Sequence, residues 1–343
     1  MINTNTVNTV DKNMLETEFF NKEFNFSYSS LNKLLESPQR FYKEYVLKDK
    51  EEKIAKYLLE GIVIHYLVLD GLDFDSKFIV APQSLPSESS IEIINNVFKE
   101  YELDPDPSKS LRDYESVILK QLEEKNLHQR LKEDSKRIEK IADVKGIDYF
   151  EFLKIKENRT IIDAAILDRC SRRAEIIKAD EKTRNLIGLD LQHDGTKIGV
   201  YNELELSMSL PNDKYSFGLK GIIDNLVVDV VNQVVTINDF KTTSKSIQKF
   251  EESVDYWNYW LQASIYKKLV KDFLSDVVNA GWIINFNFIV FDKYDQLYSF
   301  NVSDDTFKKW DAMMLNTLED AEYHFQSKEF KLPKAFALSN VKL

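Results

Sequence analysis

Lys220-Gly221-Ile222-Ile223-Asp224 is followed, fifteen residues beyond its aspartate, by Asp239-Phe240-Lys241. Both pieces lie in strand-like sequence. Tyr215 to Val230 is rich in Val, Ile and Leu, and Val234 to Lys241 is mostly apolar. Asn232-Gln233 between them suits a tight turn, so the pattern predicts a β-hairpin. Asp239 and Lys241 are two apart and leave one face of their strand, with Asp224 on the neighbouring strand. Two carboxylates and an ammonium at a strand end suit a site that holds a divalent cation and activates water. The same residues at a solvated strand edge would mean nothing chemical, so the rest of the chain has to decide.

The 343 residues suffice for one large domain or two modest ones, and 43% hydrophobic content supports a packed core. No run of eighteen apolar residues is present, and Met1 to Lys22 is polar with no apolar signal core. These features predict a cytoplasmic protein with no membrane partner, preceded by a flexible arm over 1–22. A single cysteine, Cys170, excludes an intramolecular disulfide and any four-cysteine metal site within one chain. The net charge of -11 argues against a broad nonspecific nucleic-acid coat but leaves room for a local basic groove.

Around the hairpin the pattern is helix-rich. Ser29 or Ser30 suits a cap for a helix with Leu31, Leu34 and Leu35, and Ser37-Pro38 precedes a second helix with Phe41, Tyr42 and Tyr45. Residues 57–71 form a helix with Leu58, Ile62, His65 and Leu69 on one apolar face and Gly71 as its stop. A histidine there is either a core residue or a metal ligand through a neutral ring nitrogen. Phe78 to Ala81 reads as a short strand, and about 83–190 as a helical insertion that includes a helical stretch from Thr160 to Ile187. Ile198 to Leu210 is a strand on which Glu203 and Glu205 share a face. Val254 to Asp272 is an amphipathic helix that places Gln262 and Tyr266 one above the other. Two strands, 282–291 and 297–302, and a helix from Asp304 capped by Ser303 complete an α/β chain. The expected core is a mixed central β-sheet flanked by helices, in one domain over 23–343.

The order of motifs resembles the PD-(D/E)XK nuclease superfamily, and within it the RecB-like and RecE-like exonucleases. The matching residues are His65 in Gly61-Ile62-Val63-Ile64-His65, Glu203, Asp224 in Gly221-Ile222-Ile223-Asp224, Asp239-Phe240-Lys241, and Gln262 with Tyr266. Ser27-Tyr28-Ser29-Ser30-Leu31 and Ser37-Pro38 look like the N-terminal helical motif of that group. Some relatives carry a cysteine where Ser37 stands and three more near the C-terminus, so the resemblance implies no iron–sulfur cluster here.

The resemblance implies a metal-dependent exonuclease that uses Mg²⁺, with Mn²⁺ able to substitute. His65, Asp224, Asp239 and the Phe240 carbonyl would hold metal. Lys241 would position the attacking water, and Glu203, or Glu205 in competition with it, would hold a metal-bound water. Gln262 and Tyr266 would line the site and touch the DNA backbone, or else pack helix to sheet. The implied partners are duplex DNA with a free end, a single-strand annealing protein of phage-type recombination, and further copies of the chain. The competing reading is a DNA-end-binding or partner-binding module on the same fold. A structure-specific endonuclease is a third.

Overall fold

The computed structural model describes residues 14–49, 56–69, 73–191, 197–276, 281–339 and 341. In chain order the elements that matter below are β1 (Phe24–Phe26), α1 (Tyr28–Glu36), α2 (Lys56–Val68), β2 (Phe78–Val80), β3 (Thr160–Ile162), α3 (Glu181–Ile187), β4 (Ile198–Ser209), β5 (Phe217–Asp229), β6 (Val234–Thr242), α4 (Tyr259–Phe273), β7 (Ile283–Phe291), β8 (Leu297–Asn301) and α5 (Asp304–Ser327). They fall into two compact units, one made of 1–72 with 173–343 and the other of Asp73–Arg172. The second unit overlaps most of the helical insertion expected at about 83–190, and α3 lies in the first unit.

The first unit is built on a mixed sheet of six strands in the order β1-β5-β6-β7-β8, with β4 also on β5. β4 runs antiparallel to β5 along its whole length, while β6 and β7 are parallel. The other edge of β5 is shared. β1 pairs with Phe217 to Leu219, and β6 pairs with Asn225 to Asp229. Lys220 to Asp224 lie between these two registers, where β5 and β6 part. The fold thus opens a fork at the stretch quoted first. The hairpin turn that closes the other end is fixed by Asp229, whose carboxylate accepts from the Asn232 backbone N–H at 2.9 Å.

One face of the sheet carries Leu219, Ile223, Leu226, Ile237, Phe286 and Phe288. They pack with Leu31 and Leu34 of α1, Leu261, Ile265 and Leu269 of α4, and Phe307, Met314 and Leu318 of α5. Each such side chain contributes about 1.5–3 kcal/mol by leaving water. α2 packs on β6, and α3 on β5 and β6. The stripe expected on α2 is displaced. Ile62 is exposed, while Val63, Ile64, Val68 and Leu69 are buried. The Leu58 side chain and Gly71 lie outside the described residues.

Three local expectations are corrected. Residues 14–20 are helical rather than a free arm, and Phe19 packs on Phe24 with ring centroids 4.9 Å apart. Aromatic contact outweighs the polar composition there, and residues 1–13 lie outside the described residues. Ser27, not Ser29 or Ser30, caps α1, in a reciprocal capping box with Ser30. Thr160 to Ile162 is a strand rather than the start of a helix. It pairs in parallel with β2, where Ile161 and Ile162 suit a pleated surface.

The second unit, Asp73–Arg172, is mostly helical and has its own core of Ile93, Ile94, Val97, Leu111, Ile118, Leu122 and Phe150.

Candidate active site

Regular alternation fails at one point on β4 and β5. Tyr201 and its partner Leu226 point to the core, yet so do Leu204 and Leu206 with partners Ile223 and Gly221. Both strands change face together, so the register survives without an inserted residue. The ladder skips Glu203 and Asp224, which the flanking pairs leave opposite each other. Glu203 has φ 49, a left-handed backbone that costs a non-glycine residue on the order of 1–3 kcal/mol. That turn separates Glu203 from Glu205, which is exposed beside the exposed Ile222.

Glu203 instead meets His65 of α2. Its Oε1 lies 2.6 Å from His65 Nδ1, and His65 Nε2 lies 3.5 Å from Asp224 Oδ2. A carboxylate only accepts, so His65 donates through Nδ1 and turns Nε2 toward Asp224. Burial works to lower the His65 pKa, but the Asp224 charge and the Glu203 hydrogen bond outweigh it and raise it. Asp224 sits in the fork. Its Oδ2 accepts from the Phe240 backbone N–H at 2.8 Å, a donor that β6 can no longer give to β5. Because a residue's N–H and C=O leave a strand on the same side, the Phe240 carbonyl also points into the fork.

Asp239 and Lys241 share a face, as alternation predicts. Lys241 Nζ lies 2.5 Å from Asp239 Oδ2 and 4.9 Å from the centre of the Tyr259 ring. Asp239 is fully buried, yet neither of its oxygens accepts a hydrogen bond of good geometry. Burial, opposed by Lys241 and reinforced by Asp224, pushes the Asp239 pKa up to about 7. For Lys241 burial favours a lower pKa, but the charges of Asp239 and Asp224 raise it, so the lysine stays an ammonium.

Gln262 and Tyr266 are buried on α4, joined by a hydrogen bond from Gln262 Nε2 to the Tyr266 hydroxyl at 2.9 Å. Tyr266 lies over Gly221, where a Cβ would meet its Cε1 at 2.9 Å. Gly221 is thus the residue that lets α4 approach the fork. Burial, then the charges of Asp224 and Asp239, raises the Tyr266 pKa well above its ordinary value. Both side chains form the floor of the site, and Gln262 Oε1 accepts no hydrogen bond.

Among the described residues, ligand atoms of His65, Glu203 and Asp224 lie within 4.8 Å of one another. Asp239 lies outside that group, with its Oδ2 2.5 Å from Lys241 Nζ. The donor set fits a divalent cation on two grounds. A histidine whose Nδ1–H is held by a carboxylate presents Nε2 as a ligand, and that atom has no hydrogen-bond partner. Asp239, fully buried and paired with Lys241 but accepting no hydrogen bond of good geometry, carries a desolvation cost that a cation would relieve.

A family model described as the PD-(D/E)XK nuclease superfamily matches residues 25–323. The chain belongs to this superfamily. Its members are nucleases that use divalent metals, and the mixed sheet with flanking helices is consistent with their fold. No curated protein matches. A crystal structure titled "Putative exonuclease" from Eubacterium rectale is similar at 12% identity and a TM-score of 0.44, over 93% of this chain and 89% of that one. Among the described residues no helix is long and apolar enough to cross a membrane.

Sequence reasoning missed the change of strand face, and with it the means of choosing Glu203. It also missed the part played by asparagines. Asn225 donates to Asn202 at 2.8 Å, Asn238 to Asn225 at 2.7 Å, Asn287 to Asn238 at 3.0 Å, and Asn301 to Asn287 at 3.1 Å. The five are register partners across β4 to β8. Asparagine in five apolar strands, a residue strands disfavour, was the available signal.

Proposed function

We propose that this PD-(D/E)XK protein is a Mg²⁺-dependent exodeoxyribonuclease that hydrolyses phosphodiester bonds from DNA ends, with Mn²⁺ able to replace Mg²⁺. The observation that carries the proposal is the fork between β5 and β6. It gathers His65, Glu203 and Asp224 within 4.8 Å and sets the buried Asp239–Lys241 pair beside them. His65, Glu203, Asp224, Asp239 and the Phe240 carbonyl would hold the cation, which supplies charge neutralisation at the phosphate and an acidified water.

The chain's own groups do the rest. Glu203 keeps His65 in one tautomer. The Phe240 N–H fixes the Asp224 carboxylate. Asp239 aims the Lys241 ammonium at the position where the attacking water and the developing negative charge lie. Water oxygen bonds to phosphorus as the bond to the departing nucleoside oxygen breaks. Gln262 Oε1 offers an acceptor on the floor of the site. A binding-only descendant has no use for a buried carboxylate–lysine pair beside three clustered metal-ligand side chains, so the enzyme is favoured over the end-binding module.

End dependence follows from charge. An endonuclease that grips internal duplex gains affinity from many phosphate contacts. This chain carries 57 acidic against 46 basic residues, and a frayed end in a narrow site needs fewer contacts. The resemblance supports the remaining parts of the proposal, namely a phage-type recombination or repair role in the cytoplasm, a single-strand annealing partner and a homo-oligomer. The test compares linear duplex with the same DNA as a covalently closed circle, with Mg²⁺ or a chelator. The linear form should be degraded only with metal, and the circle should survive. Equal rates on both would replace this proposal with an endonuclease, and no cleavage of either would favour the binding module.

A further inference from the structure

We infer that Tyr256 and Trp257 form a stacking platform for an unpaired nucleobase at the end of the substrate strand. The inference rests on the nuclease proposal above and names the part of the DNA that this site grips.

The aromatic residues that composition suggests for such a task are engaged elsewhere. Phe41 is fully buried and stacks on Phe26, Tyr45 and Phe330. Tyr42 packs on Phe330, Tyr266 is buried on α4 against Gly221, and the Tyr28 hydroxyl donates to the Trp257 carbonyl. Tyr256 and Trp257 are different. They are 72% and 44% exposed and meet edge to face with centroids 4.7 Å apart.

Single exposed aromatics need no explanation. These two stand on a backbone that is held from several directions. The Trp257 N–H donates to the Ser253 carbonyl at 3.0 Å, and its own carbonyl accepts from Tyr28 and from Asn32 Nδ2. The next residue, Asn258, is left-handed at φ 56, a conformation asparagine tolerates better than most. Asn258 donates to Asn32 at 2.7 Å and accepts from the Trp260 indole at 3.0 Å. Fixing an apolar pair in water gains little for folding. A platform whose backbone is already ordered loses less freedom when a ligand stacks on it.

The location supplies the ligand. Tyr259, two residues beyond Trp257 in the chain, has its ring 4.9 Å from Lys241 Nζ, so the backbone that carries the platform runs directly into a residue of the reacting centre. Glu251 and Asp255 on the short helix Phe250–Tyr256 are exposed and repel phosphate, while Glu252 is paired with Lys245 and Lys249. Contact there is through a π-face rather than the backbone. Base stacking on aromatics is tolerant of sequence and needs no positive charge, which suits a chain of net charge -11.

The experiment measures initial rates on a linear duplex that ends in a short unpaired tail, for the full chain and for Tyr256→Ser, Trp257→Ala, Trp257→Phe and the Tyr256→Ser/Trp257→Ala pair. Trp257→Ala should raise KM about tenfold with kcat unchanged, the pair should raise it further, and Trp257→Phe should recover most of the loss. A 2-aminopurine in the tail should be quenched by the wild-type protein in chelator and not by the double variant. Both side chains are exposed, so melting curves should coincide. An unchanged KM with unchanged quenching would overturn the platform while cleavage by the wild type leaves the nuclease proposal standing. A fall in kcat at constant KM would also overturn it. Absence of any cleavage by the wild type would instead count against the nuclease proposal.

Discussion

The side-chain amides of Asn225 and Asn238 join at 2.7 Å on the last paired rung of β5 and β6, one residue from Asp224 and from Asp239. Beyond that rung the strands separate. The same amides also donate to the carbonyls of Ile187 and Leu186 at the end of α3, at 3.1 and 2.7 Å. The rung therefore ties a helix end to two central strands, one residue from Asp224 and from Asp239. Asn238→Ala would leave the Asn225 oxygen, the Leu186 carbonyl and the Asn287 amide without this partner. At roughly 1–3 kcal/mol for each stranded buried group, urea denaturation should show a loss of about 3 kcal/mol or more. Asn301→Ala, at the exposed end of the ladder, should cost about 1 kcal/mol or less. Equal losses in the two variants would show that the ladder does not act as a unit.

In the proposed mechanism Lys241 would compete with a cation for Asp239 while positioning the attacking water. Replacing it with Ala should lower kcat by a factor on the order of a hundred or more. Metal affinity should hold or rise, since the ammonium 2.5 Å from Asp239 is gone. Calorimetry showing that affinity collapses in Lys241→Ala would make the lysine a structural residue instead.

Acid sensitivity should come in part from His324 of α5, away from the fork. Its ring stacks on Phe330, and Nδ1 donates to the Glu329 carbonyl at 2.5 Å. Burial lowers its pKa, against smaller opposing effects of that hydrogen bond and of Asp320. The folded state then binds a proton less readily than the unfolded state, whose histidine titrates near about 6.5. The contribution is complete above that pH and is lost as pH falls through it toward the lowered folded value. Thermal melts from pH 8 to 5 should show this slope in the wild type and a shallower one in His324→Gln. Parallel slopes would remove His324 from the account.

Much of the site was legible because it obeys simple periods. Asp239 and Lys241 are two apart on a strand, and Gln262 and Tyr266 four apart on a helix, and both pairs meet as expected. His65 converges on Asp224 because an apolar helix must pack on the sheet. What was not legible depends on tertiary choice. Composition cannot tell the buried Phe41 from the exposed Trp257, since both are aromatic residues beside helix termini. Nor does a polar N-terminal stretch disclose that Phe19 has Phe24 to pack on. Above all, alternation holds only while the backbone stays extended, and Glu203 leaves that region.

That departure gives a decisive comparison between two carboxylates that the sequence leaves equivalent. Regular alternation puts Glu203 and Glu205 on one face. The left-handed turn at Glu203 sends its carboxylate to His65 at 2.6 Å and leaves Glu205 in solvent beside Ile222. Glu203→Gln keeps the size of the side chain but removes the charge that fixes the His65 tautomer. It should reduce cleavage of linear DNA by a factor on the order of ten to a hundred and weaken divalent-metal binding by a similar factor, as loss of a partner beneath a metal-ligating histidine does. Glu205→Gln should leave both within about twofold, since exposed substitutions away from such contacts change stability by no more than about 0.5 kcal/mol. Relaxing the strained backbone adds a second signature. Glu203→Gly should melt close to the wild type, because glycine takes φ 49 freely while the stranded His65 Nδ1–H costs about as much as the strain relieved, and it should lose activity as Glu203→Gln does. If Glu205→Gln proved the more damaging change, the face assignment at this turn would be wrong.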